Sequence, residues 1–321
     1  MMTNNIPVFT MLVGLPGSGK STYASKLAIE TGAVHLNPDA IRKEMTGSEE
    51  CFDKDKEVFE YIAKAAKEGL EAGRDVVYDA TNLSSKKRAA FLAGLGKVEC
   101  VKQCIIIATP YAVCLNNNQA RERHVPEKVI EEMYKSITIP YYFEGWDDIS
   151  IHYNKPEYEA LHGYPESFAP GYMNYSQDNR HHAETLGEHS LWVQNAVVKM
   201  GYSPISSLGI AAAIHDCGKP VTKTFTNMKG EPTKDAHYYG HHCVGGYETL
   251  FFNIPRSQKL EVAAYVSYHM DPYFWKEEKT VEKKKRLWGH EFFGAIMDLH
   301  KADDRSRLSE LEQEYDEEIN K

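Results

Sequence analysis

Two short stretches of this chain gather side chains whose types and spacing suit phosphate chemistry. Residues 12–22, LVGLPGSGKST, place Gly14 to Ser21 in the pattern G-x-x-x-x-G-K-[ST] between an apolar run and a helical one. Glycines there let backbone N–H groups turn onto phosphate oxygens, and the following helix N-terminus adds partial positive charge. Lys20 would reach the β- and γ-phosphates and Ser21 would offer its hydroxyl to Mg²⁺. The expected nucleotide-binding set is Gly14, Gly17, Ser18, Gly19, Lys20, Ser21 and Thr22, with ATP or another NTP as ligand. Residues 212–223, AAIHDCGKPVTK, put His215, Asp216 and Lys219 at the end of an apolar helical run, where burial is costly unless a cation is bound.

The stretch HLNPDAIRKEM follows the second apolar run and opens at the same edge of a parallel sheet as the P-loop. Asp39 could accept the proton of an attacking hydroxyl, and Arg42, one helical turn on, could hold an acceptor phosphate bidentately. A helix cap and a surface cation are the alternative for this pair. In VVYDATN, Asp79 stands where a carboxylate would orient Mg²⁺ or its waters, and Thr81 and Asn82 either bind acceptor or shape the turn.

Ten of the 14 histidines lie between His181 and His300. Adjacent helix positions point about 100° apart, so His215 could ligate one metal while Asp216 bridges to a second. His189, His241, His242, His269 and Asp303 stand on separate helical segments, and a mixed His/Asp set suits divalent transition ions of the Mn, Fe, Co, Ni or Zn class better than Ca²⁺. Taken singly, each histidine reads equally as a core or surface residue. Taken as a set, they read as a metal cage whose ion would lower the pKa of bound water and drive phosphoester hydrolysis.

The elements that must position these groups fall into two textures. PVFTMLV, AVHL, DVVYDA, CIIIAT and ISIHY are short and β-branched, as buried parallel strands are, and they alternate with helical patterns through residue 154. Residues 155–174 are rich in Pro, Gly and Tyr and read as a linker. From 175 to 321 helical patterns take over: EHSLWVQNAVVKM, ISSLGIAAAIHD, QKLEVAAYVSYH and a final one from His290 to the acidic end. The expectation is an α/β P-loop domain (1–154), a linker (155–174) and an all-α domain (175–321). A length of 321 residues allows two cores. Net charge of -9 argues against coating long nucleic acid but not against gripping an end. The six cysteines show no C-x2-C pairing, and the absence of a leader-like start or a membrane-length apolar run suggests a cytoplasmic protein.

Residues 8–153 resemble the P-loop polynucleotide 5'-kinases of phage and bacterial RNA repair and their zeta-toxin-like relatives, through GLPGSGKST, NPDAIRKEM, VVYDATNLSSKKR, ARERHVPEKVIEEM and IPYYFEGWDDI. The resemblance implies Asp39 as general base, Arg42 on the substrate phosphate, Arg88 among the acceptor-side residues, and Arg121, with Arg123, as lid cations on the donor. The chain departs from the family's R-N-x-x-R lid by carrying Asn117-Asn118 before Arg121. Residues 175–310 resemble the HD phosphohydrolase superfamily, most of all the HD domain of some bacterial tRNA nucleotidyltransferases, through HHAETLGEHSLWV, AAIHDCGKP and YYGHH. That resemblance implies His189, His215, Asp216 and Asp303 on one metal, His241 and His269 on a second with His242 as substitute, Asp304 as rival to Asp303, and Lys219 facing phosphate.

Together the resemblances imply healing of broken nucleic-acid ends, RNA favoured over DNA, with a downstream ligase as partner and no membrane. The likeness to phage enzymes allows a phage-encoded protein acting in a host cytoplasm. Two other readings stay open: a small-molecule or nucleoside kinase joined to a nucleotide phosphohydrolase, and a nucleotide-gated binding module with an inactive HD cage.

Overall fold

The computed structural model describes residues 6–49, 51–163, 165–179 and 184–305. The chain forms two compact units. One takes the residues up to Met133 together with Pro140–Tyr158; the other takes Tyr134–Ile139 together with the chain from Glu159 onward.

The first unit is built on a five-stranded parallel sheet of order β2-β3-β1-β4-β5, with β1 Val8–Val13, β2 Val34–Leu36, β3 Val76–Asp79, β4 Val101–Ala108 and β5 Asp148–Tyr153. All five strands stand where the apolar runs predict them. Burial on both faces explains why β1, β3 and β4 read as continuous rather than alternating apolar runs: Phe9, Met11, Leu12, Val76 and Ile105–Ile107 are all buried. Leu12 pairs with Asp79 across β1 and β3, so the P-loop and the β3 carboxylate leave the sheet side by side. The helices are α1 Lys20–Thr31, α2 Pro38–Thr46, α3 Asp55–Glu71, α4 Ser85–Gly94, α5 Tyr111–Gln119 and α6 Glu127–Tyr134.

The second unit contains α7 Pro165–Phe168, α8 Leu186–Lys199, α9 Ser207–Ile214, α10 Lys219–Thr222, α11 His241–Thr249, α12 Arg256–Tyr268 and α13 Glu278–Arg305, the last broken at Gly289. Within it α11 packs on α12, α8 on α9 and α13, and α9 on α12. The expectation of helices alone is corrected by an antiparallel hairpin, β6 Thr224–Thr226 with β7 Pro232–His237. Its strands carry Thr, Lys and Asp without apolar alternation because they are mostly solvent-facing. The stretch read as a linker is also structured: short helical turns run through it, and Tyr172 is buried with its hydroxyl 2.7 Å from Ser190 Oγ. The acidic C-terminal end, the last expected helix beyond 305, and residues 181–183 lie outside the described residues. Among the described residues no helix is long and apolar enough to cross a membrane.

Candidate active sites

In the P-loop, Gly17 and Gly19 sit at φ 80° and 91°, and a Cβ on Gly17 would meet the Cys114 carbonyl oxygen at 2.1 Å. Only glycine combines that backbone with that approach. Lys20 is buried, and its Nζ donates to the Leu15 carbonyl at 2.7 Å and approaches Ser18 Oγ at 3.3 Å. Burial lowers its pKa to about 8 against the opposing charge of Asp79, with Arg121 adding to the fall. An anion placed beside this ammonium would raise that pKa again by favouring the charged form.

Asp79, also buried, accepts from Asn37 Nδ2 at 2.8 Å and faces His35 Nε2 at 3.3 Å. Burial opposes its ionisation, but hydrogen bonds from His35, Asn37 and Ser21 and the charge of Lys20 outweigh that and hold its pKa below the ordinary range. Ser21, Lys20 and Asp79 thus stand together at the end of β1 and β3: two oxygen ligands that fit Mg²⁺ and one ammonium that fits nucleotide phosphates.

The cap of α2 is Asn37, which accepts the Ala40 N–H at 3.0 Å, not Asp39. Asp39 is left with an exposed side chain, 56% accessible, one turn from Arg42. Arg42 donates to Asp39 Oδ1 at 2.6 Å and to Asp55 Oδ1 at 2.7 and 3.0 Å, and it is only 3% exposed. Of the two readings of Arg42, a bidentate phosphate clamp or a surface cation, the second is corrected: its guanidinium is turned inward and orients Asp39. Arg123 reaches the same carboxylate, 3.8 Å from Asp39 Oδ2 and 3.0 Å from Glu49 Oε2. Arg121 is exposed on the loop after α5. At the position where the family lid has a cation, Asn117 donates to the Gly17 carbonyl at 2.9 Å, while Asn118 brackets Val125 with two hydrogen bonds of 2.8 and 2.9 Å.

On the acceptor side one expectation changes, for Arg88, and Thr81 and Asn82 make contacts of the turn-shaping kind. Arg88 is 1% exposed and makes a bidentate pair with Glu144 at 2.6 and 2.7 Å, its third nitrogen donating to the Asn82 and Leu83 carbonyls. It pins the turn after β3 from inside and has no face for substrate. Asn82, at φ 48°, spends its amide on the Leu12 carbonyl at 2.8 Å, and the Thr81 carbonyl accepts from Gly14 N–H at 3.2 Å. Sequence reading missed Tyr23, His152 and Asn154, which with Gly19, Thr22 and Lys26 line a cavity of about 540 Å³ beside the P-loop. Asn154 also donates to the Ser18 carbonyl at 2.5 Å. No spacing rule connects residues 130 positions apart; only the end of β5 beside the P-loop does.

In the second unit, α8 starts at a capping box of Thr185 and Glu188, T-x-x-E in the sequence, which fixes the turn carrying His189. His215 and Asp216 end α9, His241 opens α11, His269 follows α12, and Asp303 lies near the end of α13. All six are buried. They converge on Asp216. Its Oδ2 lies 3.2 Å from His215 Nε2 and 3.4 Å from His189 Nε2; its Oδ1 lies 3.2 Å from His241 Nε2 and 3.8 Å from His269 Nε2. Asp303 Oδ1 completes the first side, 3.1 Å from His189 Nε2 and 3.9 Å from His215 Nε2. Gly218 permits the assembly, since a Cβ there would strike the His241 carbonyl oxygen at 2.1 Å.

The imidazoles are oriented from behind. His215, His241 and His269 each point Nδ1 at a backbone carbonyl, of Ala212 (2.9 Å), Tyr238 (2.8 Å) and Val266 (2.7 Å), and His189 Nδ1 faces Glu184 Oε1 at 3.3 Å. A carbonyl only accepts, so those Nδ1 atoms carry the proton and Nε2 presents a lone pair inward. His241 and His269 then set two Nε2 lone pairs 3.3 Å apart, and buried His215 Nε2 makes no hydrogen bond. Facing lone pairs around a carboxylate repel one another until a cation lies among them, so the donor set fits divalent ions, and the N/O mixture is that of transition metals.

Burial opposes ionisation of Asp216, yet the Lys219 ammonium beside it holds its pKa far below the ordinary range. Lys219 Nζ stands 2.7 Å from Asp216 Oδ2 and donates to Gln177 Oε1 at 2.7 Å. His242 lines the adjoining cavity, where burial above all lowers its pKa to about 3, so it stays neutral. Asp304 stays at the surface, sharing the Tyr273 hydroxyl with Asp303.

Strand order, P-loop and neighbouring carboxylates define the first unit as a kinase-like P-loop domain. Residues 9–140 match the family model described as an AAA domain. Over 152 residues the chain is 28% identical to L-seryl-tRNA(Sec) kinase of Methanococcus maripaludis, covering 44% of this chain and 57% of that one. The chain therefore spans just over half the length of this curated relative. Among solved structures, a putative kinase from Chloroflexus aurantiacus aligns at 15% identity (46% of this chain, 88% of that chain, TM-score 0.37). A gluconokinase from Sinorhizobium meliloti aligns at 18% (47% and 86%, TM-score 0.34), and a chain of the Pnkp1/Rnl/Hen1 complex at 20% (50% and 50%, TM-score 0.33). At these scores the fold rests on the sheet order and the P-loop themselves.

Proposed function

We propose that the chain is a bifunctional nucleic-acid end-healing enzyme, a P-loop 5'-hydroxyl kinase (1–154) joined to an HD-type phosphohydrolase (175–321), that phosphorylates 5'-hydroxyl ends and clears 2',3'-cyclic, 2'- or 3'-phosphate ends. The observation that carries the reading is Asp216, whose two oxygens each face two imidazole Nε2 atoms, in a chain that also holds a P-loop and the exposed Asp39.

In the kinase half, the P-loop amides and Lys20 take the donor phosphates, with Arg121 and Arg123 on the lid side. Ser21 and Asp79 would hold Mg²⁺, which neutralises phosphate charge when bound. Arg42 and Arg123 keep Asp39 aimed outward. Asp39 accepts the proton of the 5'-hydroxyl as that oxygen bonds the γ-phosphorus and the bridging bond to the β-phosphate breaks. The curated relative is named for a tRNA-borne acceptor, which agrees with an acceptor carried on RNA.

In the second half, His189, His215, Asp216 and Asp303 would hold one divalent ion, and Asp216, His241 and His269 another. Such ions acidify water and polarise a phosphoester when bound. Lys219 meets the phosphate oxygens, and Glu184 with the three carbonyls keeps the imidazoles aimed. Water's oxygen bonds phosphorus, one ribose oxygen leaves, and water's proton ends on it; a cyclic phosphate takes two such steps, the first giving a 2'- or 3'-monoester and the second releasing phosphate. A 2',3'-cyclic phosphate requires a ribose 2'-oxygen, which favours RNA. The products, a 5'-phosphate and a free 3'-hydroxyl, are the ends that a ligase joins.

The test is an RNA with a 5'-hydroxyl and a 2',3'-cyclic phosphate, incubated with labelled ATP and a panel of divalent ions. Label at the 5' end and ion-dependent phosphate release are expected. Phosphorylation of free nucleosides or sugars in place of RNA overturns the first half; no ion-dependent release overturns the second.

A further inference from the structure

Beside the imidazole cluster lies a cavity of about 360 Å³, within the roughly 300–1,000 Å³ typical of small-ligand sites. Its floor is Asp216, Asp303, Lys219 and the histidines; its walls are of another character. On one side His237 and Tyr239 stack ring on ring, 5.2 Å apart and 8° from parallel. They stand at the end of β7, and Tyr238 between them lines the same cavity, its ring 5.4 Å from Lys219 Nζ. On the other side Met270 and Phe274 follow directly on His269, and Phe274 is 70% exposed. A benzyl ring held open at the mouth of a polar cavity does not serve the core.

Resting on the hydrolase reading above, we propose that these walls are a base platform: the His237–Tyr239 pair and Phe274 hold the terminal nucleobase, so this site takes a base-bearing nucleotide end rather than a bare sugar phosphate. Flat aromatic faces grip every base through its π-face and read no hydrogen-bond pattern. The site therefore accepts all four bases at an end, as healing of arbitrary breaks requires. Lys219 on the floor and the rings at the rim place phosphate and base at the two ends of one cavity.

The test uses the full-length protein in chelator, so that nothing turns over, titrated calorimetrically with adenosine 3'-monophosphate and with ribose 5-phosphate. The nucleotide should bind about tenfold or more tightly than the sugar phosphate, as one stacked base contributes. Phe274→Ala and Tyr239→Ala should each erase most of that ratio, and Phe274→Trp should restore it. Phe274 is exposed enough that its truncation leaves the fold alone. Equal affinity for both ligands, no saturable binding of the nucleotide, or an unchanged ratio in the alanine variants overturns the platform. Failure of the hydrolase reading shows separately, as absence of ion-dependent phosphate release from the RNA.

Discussion

The P-loop draws its working groups from eight consecutive residues, Gly14–Ser21, whereas the imidazole cluster collects six side chains from five segments between His189 and Asp303. The first depends on backbone conformation, the second on tertiary packing. The carboxylates differ likewise: Asp39 is exposed and steered by two arginines, while Asp216 is buried and surrounded by nitrogen. A site written in the backbone tolerates change around it; a site made by converging helices fails when any one helix shifts.

The largest effect should come from the centre of the cluster. Asp216→Asn is expected to abolish divalent-ion binding, measured by metal analysis of the purified protein, and to lower phosphate release by more than the ~10–100-fold typical of losing an outer partner. Labelling of 5'-hydroxyl RNA should continue in that variant. If both activities fall together, the two sites are not separate in the way described. Asp39→Asn is the mirror experiment. A loss of ~10²–10⁴ in 5' labelling is expected with phosphate release intact; persistent labelling removes Asp39 as the base.

Stability separates the units further. Arg88→Ala leaves Glu144 buried without its partner and should cost about 3–5 kcal/mol by denaturant unfolding of the first unit. Replacing Arg88 and Glu144 together with apolar residues should cost less, because no lone charge remains buried. In the second unit, burial lifts the pKa of Glu248 to about 7 against the hydrogen bond it accepts from Tyr134 at 2.5 Å. His162, 4.0 Å away, and the buried Cys217 lie near the same carboxyl. A raised folded pKa means that the unfolded chain ionises first, so stability contributed below about pH 4.5 is lost as pH rises to 7, by about 3 kcal/mol. Glu248→Gln should flatten that part of the stability profile, and an unchanged slope would exclude Glu248 as its source. The smallest effect is at the surface: Asp304→Asn should shift stability by no more than ~0.5 kcal/mol and leave metal content unchanged, whereas Asp303→Asn should lower it.

Legibility in the sequence follows the same division. The P-loop and all five strands could be read because contiguous residues and two-sided burial leave a local pattern. The identities in the cage were readable as an ordered set of His and Asp, but the Nδ1 anchors were not, since three are backbone carbonyls and belong to no residue type. Arg88 looked like a substrate cation because a buried arginine is recognisable only through Glu144, 56 positions away. Arg42 read as a phosphate clamp or a surface cation because its partner Asp55 lies thirteen positions on. Helix α11, the helical segment expected around His241 and His242, carries glycines that lower helix propensity but let it lie close to α12. The hairpin that carries His237 left no signal because its strands face water.

Tyr134–Ile139 belongs to the second unit although the chain returns to the first for nearly twenty residues afterwards. Ile139 gives its N–H to Ser267 Oγ and its carbonyl to the Tyr268 hydroxyl, and Tyr134 caps the Glu248 carboxyl. The polypeptide is thus laced rather than beaded: scissors applied between the halves, wherever placed after residue 139, would take a strap away from the helical half. A cut there would cost the helical half the contacts that Tyr134 and Ile139 make with Glu248, Ser267 and Tyr268.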